Sequence, residues 1–230
     1  MCRILSAEGG RDTAAATTGG SVELNGERMA DFTETCGSQF VGNGKRESMK
    51  TILLCGKQSD TVISQAMIDV LRRYGRVQYY NGIQLSSAPG ETPGVFCIYD
   101  CERLPALSTP DSVLVFKNSF TPSSEPVRLP HGIPAVFSSR CEKAAEQLKG
   151  APVIPVACGT SSKDTLSVAS LTEGSACVSL LRSLCTLTGE ILEPKDISVA
   201  LQREMGTYSL LAACAVCLLC GIDSEPGYRF

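Results

Sequence analysis

The residues best placed to do chemistry follow the first apolar segment of the chain, in the loop at positions 55–61. An apolar strand, a tight turn containing glycine and a helix N-terminus form the geometry with which proteins hold phosphate groups. The candidate phosphate-binding residues of this loop are Gly56, Lys57, Ser59 and Thr61. A phosphate loop carries Gly-Lys before its Ser or Thr, however, and Ser59-Asp60 stands there instead. Because a carboxylate would repel the phosphate, the sequence predicts a nucleotide-binding scaffold that has lost its catalytic loop.

The alternative interpretation of this loop is an ordinary strand-to-helix turn of a doubly wound fold. Gly56 is the only glycine available for a close backbone approach, and Lys57 lies early in the loop. The electrostatics of Asp60 favour the ordinary turn, although Lys57 could still reach an anion.

A second candidate loop, Gly-Thr-Ser-Ser-Lys-Asp-Thr at 159–165, follows the sixth predicted strand. Its candidate ligand-binding residues are Gly159, Thr160, Ser161 and Lys163. The residues after this loop alternate as a strand does, whereas a phosphate loop opens a helix whose dipole faces the anion. The loop is therefore either a polar connecting turn or a ligand-facing loop at the carboxyl end of a strand.

Other side chains with possible chemistry give weaker signals. Asp100 and Glu102 follow the third predicted strand, where an acidic residue could bind a metal or position a water, and Glu102 is retained as a candidate site residue. Cysteines 214, 217 and 220 have the spacing of an iron–sulfur ligand set but lie within an apolar helix, which favours core packing. No nucleophile–histidine–acid set is identifiable, because the single histidine, His131, lies in a predicted loop.

The composition is that of a soluble globular protein. Of 230 residues 43% are hydrophobic and 20% charged, and the net charge is −3. No cluster of Lys and Arg exceeds a pair, so we expect no nucleic-acid partner. The longest apolar stretch, 208–222, is shorter than the roughly 20 residues of a membrane-spanning helix, which predicts a core helix. Most of the 12 cysteines lie in apolar runs and no signal peptide is evident, so we expect a reducing cytoplasm.

The pattern of apolar segments predicts three regions. Residues 1–48 are expected to be a disordered tail, with Met49 a candidate for the true start; 49–223 form a single α/β domain; and 224–230 form a C-terminal tail. Predicted helices cover 61–74, 140–149 and 206–220. Predicted strands cover 51–55, 76–80, 95–99, 112–116, 133–137, 153–158, 165–171, 176–181, 183–187 and 197–201. We therefore expect a mainly parallel, P-loop or Rossmann-like sheet flanked by helices, with a small antiparallel extension.

Residues 50–222 resemble the central, ATP-binding domain of the Mur ligases, the enzymes that add amino acids to cell-wall precursors. The family loop T-G-T-N-G-K-T-T corresponds to 55–62 here, where Gly56 and Thr61 match while Ser59 replaces a glycine and Asp60 the phosphate-binding lysine. The segment 95–104 resembles the family strand that ends at an acidic metal-site residue, with Glu102 as its counterpart. Residues 112–119 resemble the strand that ends in Thr-Asn.

The last match is the helix that begins at Gly206. Residues 206–222 resemble the family pattern G-x-H-N-x-x-N-A-L-A-A-x-A-V ending in Gly-Ile, without its polar His and Asn positions. The family's Asn-x-Asp-Asp reads Ser-Ser-Arg-Cys at 138–141, and its His-Leu-Asp motif is absent. The departures fall on catalytic positions and the matches on packing positions.

The resemblance implies a catalytically degenerate relative that lacks the family's UDP-substrate and amino-acid-binding domains, acts in the bacterial cytoplasm, and binds a partner protein or small ligand linked to cell-wall synthesis. ATP and magnesium are disfavoured as cofactors because Asp60 replaces the lysine. Two alternatives stay open. One is a nucleotide-binding protein or ATP-dependent enzyme that uses Lys57, Glu102 and Lys163 differently; the other is a structural or oligomerisation module.

Overall fold

The computed structural model describes residues 49–107, 109, 111–122 and 128–230, and these form an α/β domain. Within them an 11-stranded sheet has the order β13-β12-β9-β8-β7-β6-β5-β1-β4-β2-β3, and a second sheet pairs β10 with β11. The strands are β1 (Lys50–Cys55), β2 (Arg76–Tyr80), β3 (Leu85–Ala88), β4 (Val95–Cys101), β5 (Ser112–Phe116), β6 (Ile133–Ser138), β7 (Val153–Gly159), β8 (Leu166–Thr172), β9 (Ser175–Leu180), β10 (Leu184–Cys185), β11 (Ile191–Leu192), β12 (Lys195–Ala200) and β13 (Tyr228–Arg229). The helices are α1 (Val62–Leu71), α2 (Glu142–Leu148) and α3 (Thr207–Leu219).

The core of the sheet is parallel. β1 lies between β4 and β5 and pairs in parallel with both, so that Cys55 is level with Cys101 on one side and with Phe116 on the other. The strands β2, β6, β7 and β8 continue the parallel pairing outward. Because parallel strands end at the same edge, the loops after β1, β4 and β5 meet there, which is where α/β folds bind their ligands.

An antiparallel extension completes the sheet, as the sequence predicts. β9 pairs antiparallel with β8, to which a tight turn joins it, and with β12, and β3 pairs antiparallel with β2 at the opposite edge. The predicted fold class, a mainly parallel sheet flanked by helices with a small antiparallel part, is confirmed by this strand order.

The two faces of the sheet carry different helices because side chains alternate along each strand. Ile52 and Leu54 of β1 belong to the cluster that contains the buried residues of α1 and α3. Leu53 and Cys55 belong to the smaller cluster that contains the buried residues of α2. The charged residues at the ends of β4 and β5 follow the same alternation, so each of them lies on one of the two faces of the sheet.

Helix α3 is the most buried element, because 11 of its 13 residues, from Ser209 to Leu219, are buried. Cys214 and Cys217 belong to this core, and Cys220, which follows the helix, is buried as well. Burial raises the pKa of each of these thiols, to about 12 for Cys220. The thiols therefore pack as small apolar groups, as their apolar surroundings predict. No helix in the described part of the chain is long and apolar enough to cross a membrane.

Helix α1 is shorter than the predicted helix at 61–74, because it stops at Leu71. Its N-cap is Thr61, and no side chain accepts a hydrogen bond there. Gly75, beyond the helix, is needed for a close approach, because a Cβ at this position would lie 2.3 Å from the carbonyl oxygen of Gly94. Val62, the first residue of the helix, is exposed.

The predicted C-terminal tail at 224–230 is part of the domain. Tyr228 and Arg229 form β13, which pairs in parallel with β12. Tyr228 and Phe230 are buried and their rings stack with centroids 5.8 Å apart. Tyr228 also donates a hydrogen bond to the carbonyl oxygen of Ile222 at 2.9 Å. The sequence obscures this strand because it is two residues long and follows Pro and Gly.

Candidate functional site

The loop after β1 is closed by a lysine from β5. Lys117 directly follows β5, and its side chain is completely buried. Its ammonium group donates hydrogen bonds to the carbonyl oxygens of Lys57 at 3.2 Å and of Asp60 at 2.8 Å. The third hydrogen bond goes to Oδ2 of Asp100 at 2.8 Å. All three donors of the ammonium are therefore satisfied within the protein.

Asp100, near the end of β4, is the counter-charge of this lysine. Nζ of Lys117 lies 2.7 Å from Oδ1 of Asp100, and both side chains are fully buried. Oδ2 also accepts hydrogen bonds from Ser64 of α1 at 2.6 Å and from Tyr79 of β2 at 2.9 Å. A buried ion pair needs such additional hydrogen bonds to offset the desolvation of its charges. The cluster Ser64–Tyr79–Asp100–Lys117 thus links α1, β2, β4 and β5 behind the loop.

Gly56 provides the space through which Lys117 reaches Asp100. β1 lies between β4 and β5, so the lysine must cross the end of β1. A Cβ added to Gly56 would lie 2.7 Å from Cβ and 3.2 Å from Cδ of Lys117, and φ of Gly56 is +151°. Gly56 was predicted to let a phosphate approach the backbone. In the structure it is the side chain of Lys117 that approaches the backbone there.

The other predicted residues of this loop lie outside the cluster. The side chains of Lys57, Ser59 and Thr61 are exposed. The backbone amide of Lys57 donates to Oγ of Ser119 at 3.2 Å, which leaves that amide unavailable to an anion. Glu102 is also exposed, and within the described part of the chain it has no ion pair or side-chain hydrogen bond. The structure therefore brings Gly56 and the carbonyl oxygen of Lys57 to the cluster, and not Ser59, Thr61 or Glu102.

Tyr79 gives this cluster a dependence on pH. Burial, followed by its hydrogen bond to Asp100 and the charge of that residue, raises the pKa of Tyr79 from 10.0 to about 12. A raised pKa favours the neutral phenol in the folded state. Its contribution to stability is therefore fully present below pH 10 and is lost as the pH rises through about 12.

We therefore expect Tyr79→Phe to lower the free energy of unfolding by about 1 kcal/mol at neutral pH, because Asp100 loses one donor. Between pH 10 and 12 the stability of the wild type should fall more steeply than that of the variant. Urea denaturation across this range measures both effects. Buried tyrosines such as Tyr228 titrate alike in both proteins, so parallel curves would contradict the assignment.

The second predicted loop borders a separate cavity of about 320 Å³ at the carboxyl ends of β5, β6 and β7. Gly159 and Thr160 line it, together with Arg140 after β6 and Thr207 of α3. Ser161 and Lys163 do not line it; the amide of Ser161 donates to Oδ2 of Asp164 at 2.8 Å, and the amide of Lys163 donates to Oγ of Ser161 at 3.2 Å. The loop is thus a polar turn whose first two residues face a cavity.

Two neutral ionisable groups, Cys158 and Tyr208, also line this cavity. Burial raises the pKa of the Cys158 thiol well above its ordinary value, and the charge of Asp164 adds to this effect. Burial likewise raises the pKa of Tyr208, whose hydroxyl donates to the carbonyl oxygen of Phe116 at 2.5 Å. Both groups are therefore neutral at physiological pH. Leu211, which also belongs to the lining, is fully buried.

A second, shallower cavity of about 270 Å³ lies between the N-terminus of α1 and the residues that lead into α3. Thr61 and Gln65 line one side, and Arg203, Met205 and Ser209 line the other. Arg203 is ion-paired with Asp69 of α1. This ion pair joins the two elements and balances the charge of the guanidinium. A ligand would therefore meet less positive charge in this cavity than in the cavity of about 320 Å³.

No protein-family model matches this sequence, and no curated protein matches it. Similar solved structures include a murein peptide ligase from Psychrobacter arcticus, at 9% identity and a TM-score of 0.48. They also include the MurF ligase from Thermotoga maritima in complex with ADP, at 10% and 0.44, and a UDP-N-acetylmuramate:L-alanyl-γ-D-glutamyl-meso-diaminopimelate ligase from Neisseria meningitidis, at 13% and 0.47. The alignments cover 77% of this chain and 45%, 47% and 63% of those chains. The chain thus spans about half of their length.

Proposed function

We propose that this chain is a non-catalytic α/β binding domain whose phosphate loop is held closed by Lys117. The observation that carries the proposal is the three-fold coordination of the Lys117 ammonium by the carbonyl oxygens of Lys57 and Asp60 and by the carboxylate of Asp100. The resemblance of the sequence to the Mur ligases supports a role connected with cell-wall precursors, and the loss of that family's catalytic positions supports binding without turnover.

Electrostatics explain why a closed loop cannot hold a nucleotide in the usual way. A phosphate loop presents backbone amides to the anion, whereas this loop presents two carbonyl oxygens to a buried cation. A phosphate at this place would meet the carboxylate of Asp100 and would have to break the buried ion pair. Losing one partner of such a pair costs about 3–5 kcal/mol, which is comparable to the binding free energy of a millimolar ligand.

The binding function then falls to the cavity at the ends of β5, β6 and β7. Its volume of about 320 Å³ is at the lower end of the range of small-molecule sites, about 300–1,000 Å³. It lies at the carboxyl edge of a parallel sheet, the usual position of ligands in α/β folds. The cavity includes the first two residues of the 159–165 loop but none of the residues of the loop after β1.

Titration of the full chain with ATP and Mg²⁺, followed by calorimetry and thermal unfolding, tests the proposal. We expect no heat of binding, no rise in the unfolding temperature at about 5 mM ATP, and no release of phosphate. A ligand present at 100 times its dissociation constant would stabilise the fold by about 2.7 kcal/mol, so true binding would be visible. Saturable ATP binding that is lost in Lys57→Ala would overturn the proposal and support the nucleotide-binding alternative. UDP-linked cell-wall precursors form the second arm of the titration.

A further inference from the structure

The lining of the cavity at the ends of β5, β6 and β7 carries a positive charge. Its lining includes one cationic side chain, that of Arg140, and no Asp or Glu. Arg140 is exposed, and it has no ion-pair partner within the part of the chain that the structure describes. Arg203 and Lys117, by contrast, are paired with carboxylates. A guanidinium without a counter-charge at the mouth of a cavity provides a fixed positive field and a forked set of donors.

The polar side chains of the lining include hydrogen-bond donors that are available to a ligand. Ser138 is only 7% exposed; its hydroxyl accepts a 3.4 Å hydrogen bond from the amide of Arg140 and donates to no described residue. Because the hydroxyl lines the cavity and has no acceptor among the described residues, its proton is available to an acceptor group of a ligand. The side chains of Asn118 and Thr160, which are exposed on the same lining, make no hydrogen bond with a described residue.

The first turn of α3 adds backbone donors. Its N-cap is Gly206, which has no side chain to accept a hydrogen bond from the first-turn amides. Thr207 and Tyr208 of that turn line the cavity. Uncapped amides at the start of a 13-residue helix favour an anion, and they reinforce what Arg140 and Ser138 already indicate.

We propose that this cavity binds the oxyanion group of a small molecule, a carboxylate or a phosphate, with Arg140 as its counter-charge and Ser138 as a buried donor. The proposal deepens the proposed function, on which it rests, because it names the ligand class of the same binding domain. Leu211 and the neutral Cys158 and Tyr208 also line the cavity, and they suit the apolar part of such a molecule. The volume of about 320 Å³ limits the ligand to a modest size.

Titration of the full chain with inorganic phosphate and, separately, with acetate tests this site, with NaCl holding the ionic strength constant. Binding is followed by amide chemical shifts. We expect one of the two anions to bind saturably and to shift the amide signals of Thr160 and Thr207. Whether phosphate or acetate binds shows whether the site takes a phosphate or a carboxylate. Arg140→Gln should weaken this binding by about tenfold or more, since it removes the counter-charge and leaves the backbone unchanged.

Lys143→Gln is the matched control, because Lys143 is an exposed cation on the neighbouring helix α2 that does not line the cavity. Its binding constant should equal that of the wild type. Equal weakening by Arg140→Gln and Lys143→Gln, or no saturable binding of either anion up to about 50 mM, would overturn the site. This outcome is distinct from failure of the proposed function, which requires ATP binding or hydrolysis. A chain that binds ATP through Lys57 while Arg140→Gln still weakens phosphate binding would refute only the closed loop.

Discussion

Lys117→Met is expected to lower the free energy of unfolding by about 3–5 kcal/mol. The substitution preserves the length and the apolar stem of the side chain but removes the ammonium that Asp100 requires. The carboxylate of Asp100 is fully buried, so it would be left without its counter-charge, with Ser64 and Tyr79 as its remaining donors. The carbonyl oxygens of Lys57 and Asp60 would lose their donor as well.

A double-mutant cycle separates the ion pair from the packing of the lysine stem. Asp100→Asn keeps an acceptor for Ser64 and Tyr79 but removes the buried charge. We expect Lys117→Met combined with Asp100→Asn to be more stable than the sum of the two single changes predicts, by about 1–3 kcal/mol. Urea denaturation of the four proteins gives the coupling free energy directly.

Lys57→Met is the control for this cycle. Lys57 lies in the same loop, but its side chain is exposed and makes no ion pair with any residue that the structure describes. A surface change of this kind alters stability by no more than about 0.5 kcal/mol. If Lys117→Met proved as harmless as Lys57→Met, the ammonium would not be buried against Asp100, and the closed loop would be wrong.

The strands of the parallel core could be predicted from the sequence because each is a short apolar run between polar turns. The predicted bounds of β2 and β5 match the structure, and those of β1, β4, β6 and β7 differ by one or two residues. β3 was missed because it is an edge strand whose residues Leu85, Ser86 and Ser87 are exposed, so no face of it shows apolar alternation. β13 was missed because it is only two residues long and so shows no alternation of its own.

The position of the loop at 55–61 could be predicted from the sequence, but the contacts that fill it could not. The loop at 55–61 does lie at the carboxyl edge of the sheet, yet its contents are decided by Lys117, about 60 residues further along. The signal was present in the alternation of side chains. Lys117 continues the face of Val113 and Val115, and Asp100 continues that of Phe96 and Ile98, which pack in the same cluster. Only the strand order, with β1 between β4 and β5, shows that these opposite charges meet.

Gly56→Ala is expected to lower the free energy of unfolding by about 3 kcal/mol, because two costs add at this position. The backbone φ of +151° is strained for any residue with a Cβ. The added methyl group would also lie 2.7 Å from Cβ and 3.2 Å from Cδ of Lys117 and 3.0 Å from Oγ of Ser119. Overpacking of a buried contact typically costs about 1–3 kcal/mol, since Lys117 cannot move without leaving Asp100.

Gly132→Ala separates the two costs, because Gly132 also has a positive φ, +77°, but a Cβ there would meet nothing within 4 Å. It should cost about 1 kcal/mol, the backbone contribution alone. The difference between the two variants in urea denaturation then gives an upper bound on the steric contact with Lys117, since a φ of +151° is also harder for alanine to adopt than a φ of +77°. Because methionine retains the Cβ that the new methyl group meets, Lys117→Met should not relieve the cost of Gly56→Ala. Equal destabilisation by the two glycine substitutions would mean that Lys117 does not cross β1 at Gly56, and the phosphate loop would then be open to a ligand after all.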